Sequence, residues 1–277
     1  DPRRDVAELV ADLLTDHPDL DGVLAEARQV TDEVLRFTAE HDLVPDADGV
    51  CEVRPAPPSR SWAMAMMSWA APEEDDAPSQ YYVTPPDPSW PAEDVAEWLS
   101  VFSRTTLPAI TVHEVAPGHF THGRSLRRAP SLVRRGLQSS AFAEGWAHYV
   151  EELLIEEGFR AGDPRYAIGV YIEALLRVTR LAGSIGLHTG ETTVEELTRR
   201  FQRDAHLAEK AARSEAARGT FDIGYGRYTL GKLHLQAASE RARKAWGDGF
   251  SLNRFHTGLM RLGSPPLGLV DTALAEA

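Results

Sequence analysis

The residues of this chain best equipped for chemistry are His113-Glu114-Val115-Ala116-Pro117-Gly118-His119. In the common metal-hydrolase arrangement, two His four residues apart on one helix face hold Zn²⁺. The Glu after the first His then acts as general base. Here the second His follows the first by six positions. A regular helix turns about 100° per residue, so the two rings would stand roughly 120° apart and could not share an ion. Pro117 cannot donate a backbone N–H to the carbonyl of His113, and Gly118 tolerates unusual dihedrals. The stretch is therefore a metal site only if the helix breaks at Pro117-Gly118, where a local bulge would bring the imidazoles together.

A second cluster lies in Glu144-Gly145-Trp146-Ala147-His148-Tyr149-Val150-Glu151. On a helix, Glu144, His148 and Glu151 share one face. Taken alone, that face reads equally as a solvated polar stripe. Beside the His-Glu helix it reads as the source of the carboxylate ligand that such a site takes from a following helix. Glu144 is the expected ligand, and His148 competes with it. Glu151 is spaced to accept the free N–H of a ligating imidazole. Elsewhere the residues have ordinary readings. His188, in Gly186-Leu187-His188, reads as a helix C-cap, and Arg180 as a surface or ion-pair residue. Tyr225 and Tyr228 read either as packing groups or as hydroxyl donors to a polarised carbonyl. His256 reads as a cap or a packed residue.

The elements that must position these groups are mostly helical. Apolar residues recur at helical spacing over 5–42, with a break at His17-Pro18. Prolines crowd residues 44–91, where short strands fit at Cys51–Arg54, Trp62–Ala70 and Gln80–Thr84. The acidic run Glu73-Glu74-Asp75-Asp76 reads as an exposed loop between two of them. Helices are expected over 92–116, 130–158, 164–188, 193–218, 226–246 and 251–261, with a hydroxyl-capped start at Thr193. The fold expected is a single mainly α domain, 1–277. It has a helical lead-in (1–43), a Pro-rich region with a small antiparallel β element (44–91) and a helical catalytic part (92–277).

Bulk properties narrow the function. A net charge of −13 argues against nucleic acid as a partner. Cys51 is the only cysteine, so any metal must be held by His and carboxylate. No apolar run approaches a membrane span and no signal-peptide pattern opens the chain, which gives a cytoplasmic expectation. A chain starting at Asp1 rather than Met reads as a portion of a longer protein.

Five segments occur in a familiar order: His113-Glu-Val-Ala-Pro-Gly-His119, Phe142-Ala-Glu-Gly-Trp-Ala-His-Tyr149, Arg180-Leu181 to Gly186-Leu-His188, Tyr228-x-x-Gly231-Lys, and Phe255-His to Gly263-x-Pro-Pro-Leu267. Over nearly its whole length the chain resembles the C-terminal, motif-bearing part of the bacterial domain-of-unknown-function family 885. That family is regarded as gluzincin-type zinc metallopeptidases, about twice this length. The resemblance implies one Zn²⁺ held by His113, His119 and Glu144, with Glu114 activating water. It implies that Arg180, His188 and Tyr228 line the site, and that a missing N-terminal half accompanies this one. Two departures fall on the presumed substrate side: Ser184, where the family usually has an acid, and Asp222-Ile223-Gly224, where it usually has Pro-x-Gln.

The function expected is hydrolysis of a peptide or amide bond. Glu114 is the base, Tyr228 and His188 stabilise the oxyanion, and Arg180 and Tyr225 contact substrate. Two other readings stand beside it: a dedicated biosynthetic metalloenzyme on the same scaffold, and a non-catalytic helical binding domain with a vestigial metal site.

Overall fold

The computed structural model describes residues 5–45, 48–74 and 76–275. Asp1 and Asp75, both used in the sequence reading, lie outside the described residues. The chain is mainly helical, with one three-stranded sheet among the described residues. Helices α1 (Val6–Thr15) and α2 (Leu20–Glu40) separate at His17-Pro18 as expected, each capped by an Asp side chain, Asp5 and Asp19. Strands β1 (Cys51–Pro55), β2 (Ala65–Ser68) and β3 (Ser79–Val83) follow. Then come α3 (Ala92–Leu99), α4 (Leu107–Glu114), α5 (His119–Ser125), α6 (Leu132–Gly136) and α7 (Ser140–Glu156). The chain continues with α8 (Pro164–Thr189), α9 (Val194–Asp204), α10 (Glu209–Arg218), α11 (Arg227–Trp246), α12 (Leu252–Met260) and α13 (Val270–Leu274).

The sheet corrects one expectation, because it is mixed rather than antiparallel. Its order is β1-β3-β2, with β3 antiparallel to β2 but parallel to β1. The route from β1 to β3 passes back through β2, so β1 and β3 enter the sheet in the same direction. Tyr81 and Val83 point from β3 into the core, where both are fully buried. Of the acidic loop, Glu73, Glu74 and Asp76 are exposed, and Glu73 pairs with Arg135.

Several helices are shorter than their periodicity suggested. The expected helix 92–116 is two helices, because Pro108 starts α4 afresh and Ser103 bonds Thr106 in the gap. Residues 130–158 split where Ser139 caps α7. Residues 193–218 split at His206, whose φ is +55°. The start at Thr193 is a full capping box with Glu196.

Two features of this architecture govern the site. The first is α4, in which all eight residues are buried. It packs on α2, α7 and α8, so any polar group it carries is desolvated. The second is the crossing of α7 and α11. A Cβ at Gly145 would lie 2.4 Å from the Gly231 Cα, so the two backbones touch. Long α8 buries a polar stripe, Glu173, Arg177, Arg180 and Ser184, beside the apolar Tyr166, Val170, Ile172 and Leu176, and it exposes Tyr171, Leu175, Val178 and Ile185.

Candidate metal centre

The helix does break where the sequence allows. α4 ends at Glu114, Val115 leaves helical geometry (φ −109°, ψ −86°), and α5 begins anew at His119. Gly118 is required by close approach, since a Cβ there would stand 2.0 Å from the His113 carbonyl oxygen. The Trp146 indole N–H donates to the Pro117 carbonyl at 2.8 Å, tying the turn to α7. The result is two helices meeting at an angle rather than one bulged helix, and the two rings now face one point.

Their third partner is Glu144. Its Oε2 lies 3.2 Å from His119 Nε2 and 3.4 Å from His113 Nε2. The ligand atoms of His113, His119 and Glu144 all fall within 4.8 Å of one another. His148, the competing residue, turns away and binds Glu151 through Nδ1 at 3.2 Å. Glu151 is wholly buried and takes His113 Nδ1 at 2.6 Å. A donor N–H at Nδ1 leaves the Nε2 lone pair of His113 free toward Glu144.

The electrostatics favour a cation at this point. Burial and Arg177 both disfavour charge on His113, yet bonds to Glu144 and Glu151 outweigh them and push its pKa up to about 9. Burial likewise opposes charge on Glu144, but the two histidines hold its carboxyl well below the usual carboxylate range. Glu114 differs. Burial raises its pKa, and its Oε2 is sealed from solvent with no hydrogen-bond partner among the described residues. It is an uncommitted carboxylate beside the cluster, which is what a proton acceptor requires.

These groups open onto a cavity of about 560 Å³. One side is the segment from Trp62 through β2 to Trp69, and another is the inner face of α8. Trp69 lies edge-on to His119, with ring centres 5.9 Å apart. Tyr228 reaches the cavity from α11, its ring 6.2 Å from that of His113, and its hydroxyl accepts from Arg218 Nη2 at 3.0 Å. Arg180 lines the cavity too, held by Glu215 in a two-point pair of 2.6 and 2.8 Å.

Two expected residues are not brought to the site. Tyr225 is fully buried, bonded to Glu215, and belongs to the small core between α8, α9 and α10. His188 is exposed near the end of α8 and binds the Gly219 carbonyl at 3.1 Å. Tyr225 keeps the packing role that the residue itself suggested, whereas the C-cap of α8 is Gly190 and not His188. Ser184 donates to the Ile223 carbonyl at 3.3 Å, so the two family departures touch each other.

Three residues escaped the sequence reading. Arg177 bridges Glu151 Oε1 (3.0 Å) and Glu173 Oε2 (2.9 Å), and Arg218 borders the cavity beside Trp62. A signal existed for two of them: Glu173, Arg177, Arg180 and Ser184 recur on one helical face of α8.

The family model for "Bacterial protein of unknown function (DUF885)" matches residues 2–274. The chain belongs to this family. No curated protein matches it. Among the solved structures similar to it are two bacterial proteins. One is described as "a putative lipoprotein of unknown function" from Shewanella oneidensis, at 25% identity and TM-score 0.82 over 97% of this chain. The other, described as "the putative lipoprotein" from Colwellia psychrerythraea, is 23% identical with TM-score 0.84 over 99% of this chain and supports the fold alone. This DUF885 chain spans 48% and 47% of their lengths, about half of each. These relatives correct the cytoplasmic expectation, since lipoproteins belong to the cell envelope. Among the described residues no helix is long and apolar enough to cross a membrane.

Proposed function

We propose that this DUF885 chain carries the catalytic centre of a gluzincin-type, zinc-dependent hydrolase acting on a peptide or amide bond. One observation carries the reading: two imidazole nitrogens and a carboxylate oxygen converge beside an unpartnered buried carboxylate, all on one cavity. Two histidines and a glutamate suit Zn²⁺ in a catalytic setting, where three protein ligands leave a position open. The carboxylates on either side of His113 supply the negative field that such an ion needs.

When bound by His113, His119 and Glu144, zinc would acidify a water and polarise the substrate carbonyl. The remaining work belongs to the protein. Glu114 takes the proton of the attacking water and passes it to the leaving nitrogen, and its raised pKa suits it to hold that proton in between. Tyr228, its hydroxyl oriented by Arg218, donates to the developing oxyanion. Glu151 fixes the tautomer and ring angle of His113, and Arg177 fixes Glu151 in turn.

The test is metal content together with turnover. Purified protein should hold about one zinc, lost in His113→Ala and Glu144→Ala, and should cleave members of a peptide library. Glu114→Gln should keep the zinc and lose turnover by about 10²-fold or more. Protein that carries no zinc, or a Glu114→Gln variant as active as wild type, overturns the reading.

A further inference from the structure

The cavity has a second chemical character away from the metal ligands. Four arginines line it against three glutamates, Glu114, Glu144 and Glu173. Two of those arginines, Arg180 and Arg218, are 8% and 6% exposed and immobilised on several sides. The Arg180 guanidinium lies 5.0 Å from the ring centre of Tyr228 and 5.2 Å from that of Tyr225. That of Arg218 lies 5.1 Å from Tyr225 and 5.2 Å from Trp62. Arg180 spends Nε and Nη2 on Glu215, and Arg218 spends Nη2 on Asp222 and the Tyr228 hydroxyl. Among the described residues, the Nη1 of each has no protein acceptor, and neither nitrogen is sealed from solvent.

Charge is also left over. Arg218 and Arg227 share the single carboxylate of Asp222. The other acid near Arg227 is Glu144, 3.9 Å from its Nε, and Glu144 is committed to the metal cluster. Apart from Glu144, the three guanidiniums of Arg180, Arg218 and Arg227 are served by two carboxylates, Glu215 and Asp222, and the surplus favours an incoming anion. Planar, pre-aligned N–H donors suit a carboxylate.

We propose that Arg180 and Arg218 form a carboxylate-recognition subsite, so that the substrate is an amide bearing a free carboxylate beside the bond to be cut. This rests on the hydrolase reading for the cutting, while the recognition itself is a binding property. The carboxylate can be a peptide C-terminus or an acidic side chain, and the two sources are separable.

Calorimetric titration of the metal-free protein tests the subsite without turnover. The probes are N-acetyl-Ala-Ala as acid and as C-terminal amide, and N-acetyl-Glu amide against N-acetyl-Gln amide. At least one acid should bind tenfold or more tighter than its neutral match, and which pair shows the preference identifies the source. Arg218→Gln and Arg180→Gln should each bring that ratio toward one, with circular dichroism confirming the fold. Arg218→Lys, which keeps the charge but loses the planar fork, should retain only part of it. Equal binding of acid and amide, or a preference seen only after zinc is added, overturns the subsite, as does an unchanged ratio in both Gln variants. An acid preference without cleavage of any peptide would instead sink the hydrolase reading and leave the subsite standing.

Discussion

Replacing Gly145 by alanine should damage both the stability of the protein and the metal centre proposed for it. The new methyl would begin 2.4 Å from the Gly231 Cα and 2.5 Å from the Gly231 carbonyl carbon. Carbon atoms rest at about 3.5–4.0 Å, so α7 and α11 must part by roughly 1 Å. Overpacking of this kind costs about 1–3 kcal/mol, and the better helix propensity of Ala returns about 1 kcal/mol. A net loss of up to about 2 kcal/mol remains. With an unfolding entropy of about 2.1 cal/mol/K per residue, a chain of this size should melt up to about 3 °C lower. The same displacement moves the neighbouring Glu144, whose Oε2 now sits 3.2 and 3.4 Å from the two imidazoles. Zinc affinity should therefore fall at least tenfold. Differential scanning calorimetry with and without zinc reads both effects, and competition with a chromogenic chelator gives the affinity. Gly136→Ala is the control, because its Cβ would meet nothing within 4 Å. It should change the melting point little. A Gly145→Ala protein as stable as wild type, with unaltered zinc affinity, would refute the argument from backbone contact.

Two further predictions concern buried charge. Glu151→Gln should weaken zinc binding by about 10–100-fold, since it replaces the charged acceptor that orients His113 with a neutral, weaker one. An unchanged affinity by chelator competition would show that Glu151 serves Arg177 alone. His256 is wholly buried, between the Leu43 carbonyl and the Tyr149 hydroxyl, and burial pushes its pKa from 6.5 down to about 4. The unfolded chain therefore takes up the proton first as pH falls. The stability present above about pH 6.5 drains away toward pH 4, by about 3 kcal/mol in all. Urea midpoints for wild type and His256→Gln at pH 7 and 4.5 check this, with the smaller drop expected in the variant. Equal drops would exclude His256 as a contributor.

How much of this was legible in the sequence depended on whether a residue's role was local. The break at Pro117-Gly118 could be read because proline and glycine act on their own backbone, and Glu144 because helical spacing fixes which residues share a face. The separate existence of α5 was not legible, since the seven residues His119–Ser125 carry no periodic pattern long enough to register. Arg177 and Glu173 were hidden for a different reason. An apolar stripe at helical spacing ordinarily marks the packed side, but in α8 Tyr171, Leu175, Val178 and Ile185 are the exposed side. The parallel pairing of β1 with β3 depends on the path between them, and neither strand records that path. Tyr225 shows the reverse case, since its own chemistry suggested a packing group and it packs in the small core between α8, α9 and α10. His188 was expected to cap α8, but Gly190 holds that place and His188 binds the Gly219 carbonyl at the end of α10.

The edge-on contact of Trp69 with His119 makes the site optically self-reporting. An indole against an imidazole emits differently according to whether that ring is neutral, protonated or bound to an ion. Trp69 also forms one end of the cavity wall, so a molecule entering there alters its surroundings directly. The protein thus contains a native fluorophore at the place where its chemistry is proposed, and occupancy can be followed without attaching a label.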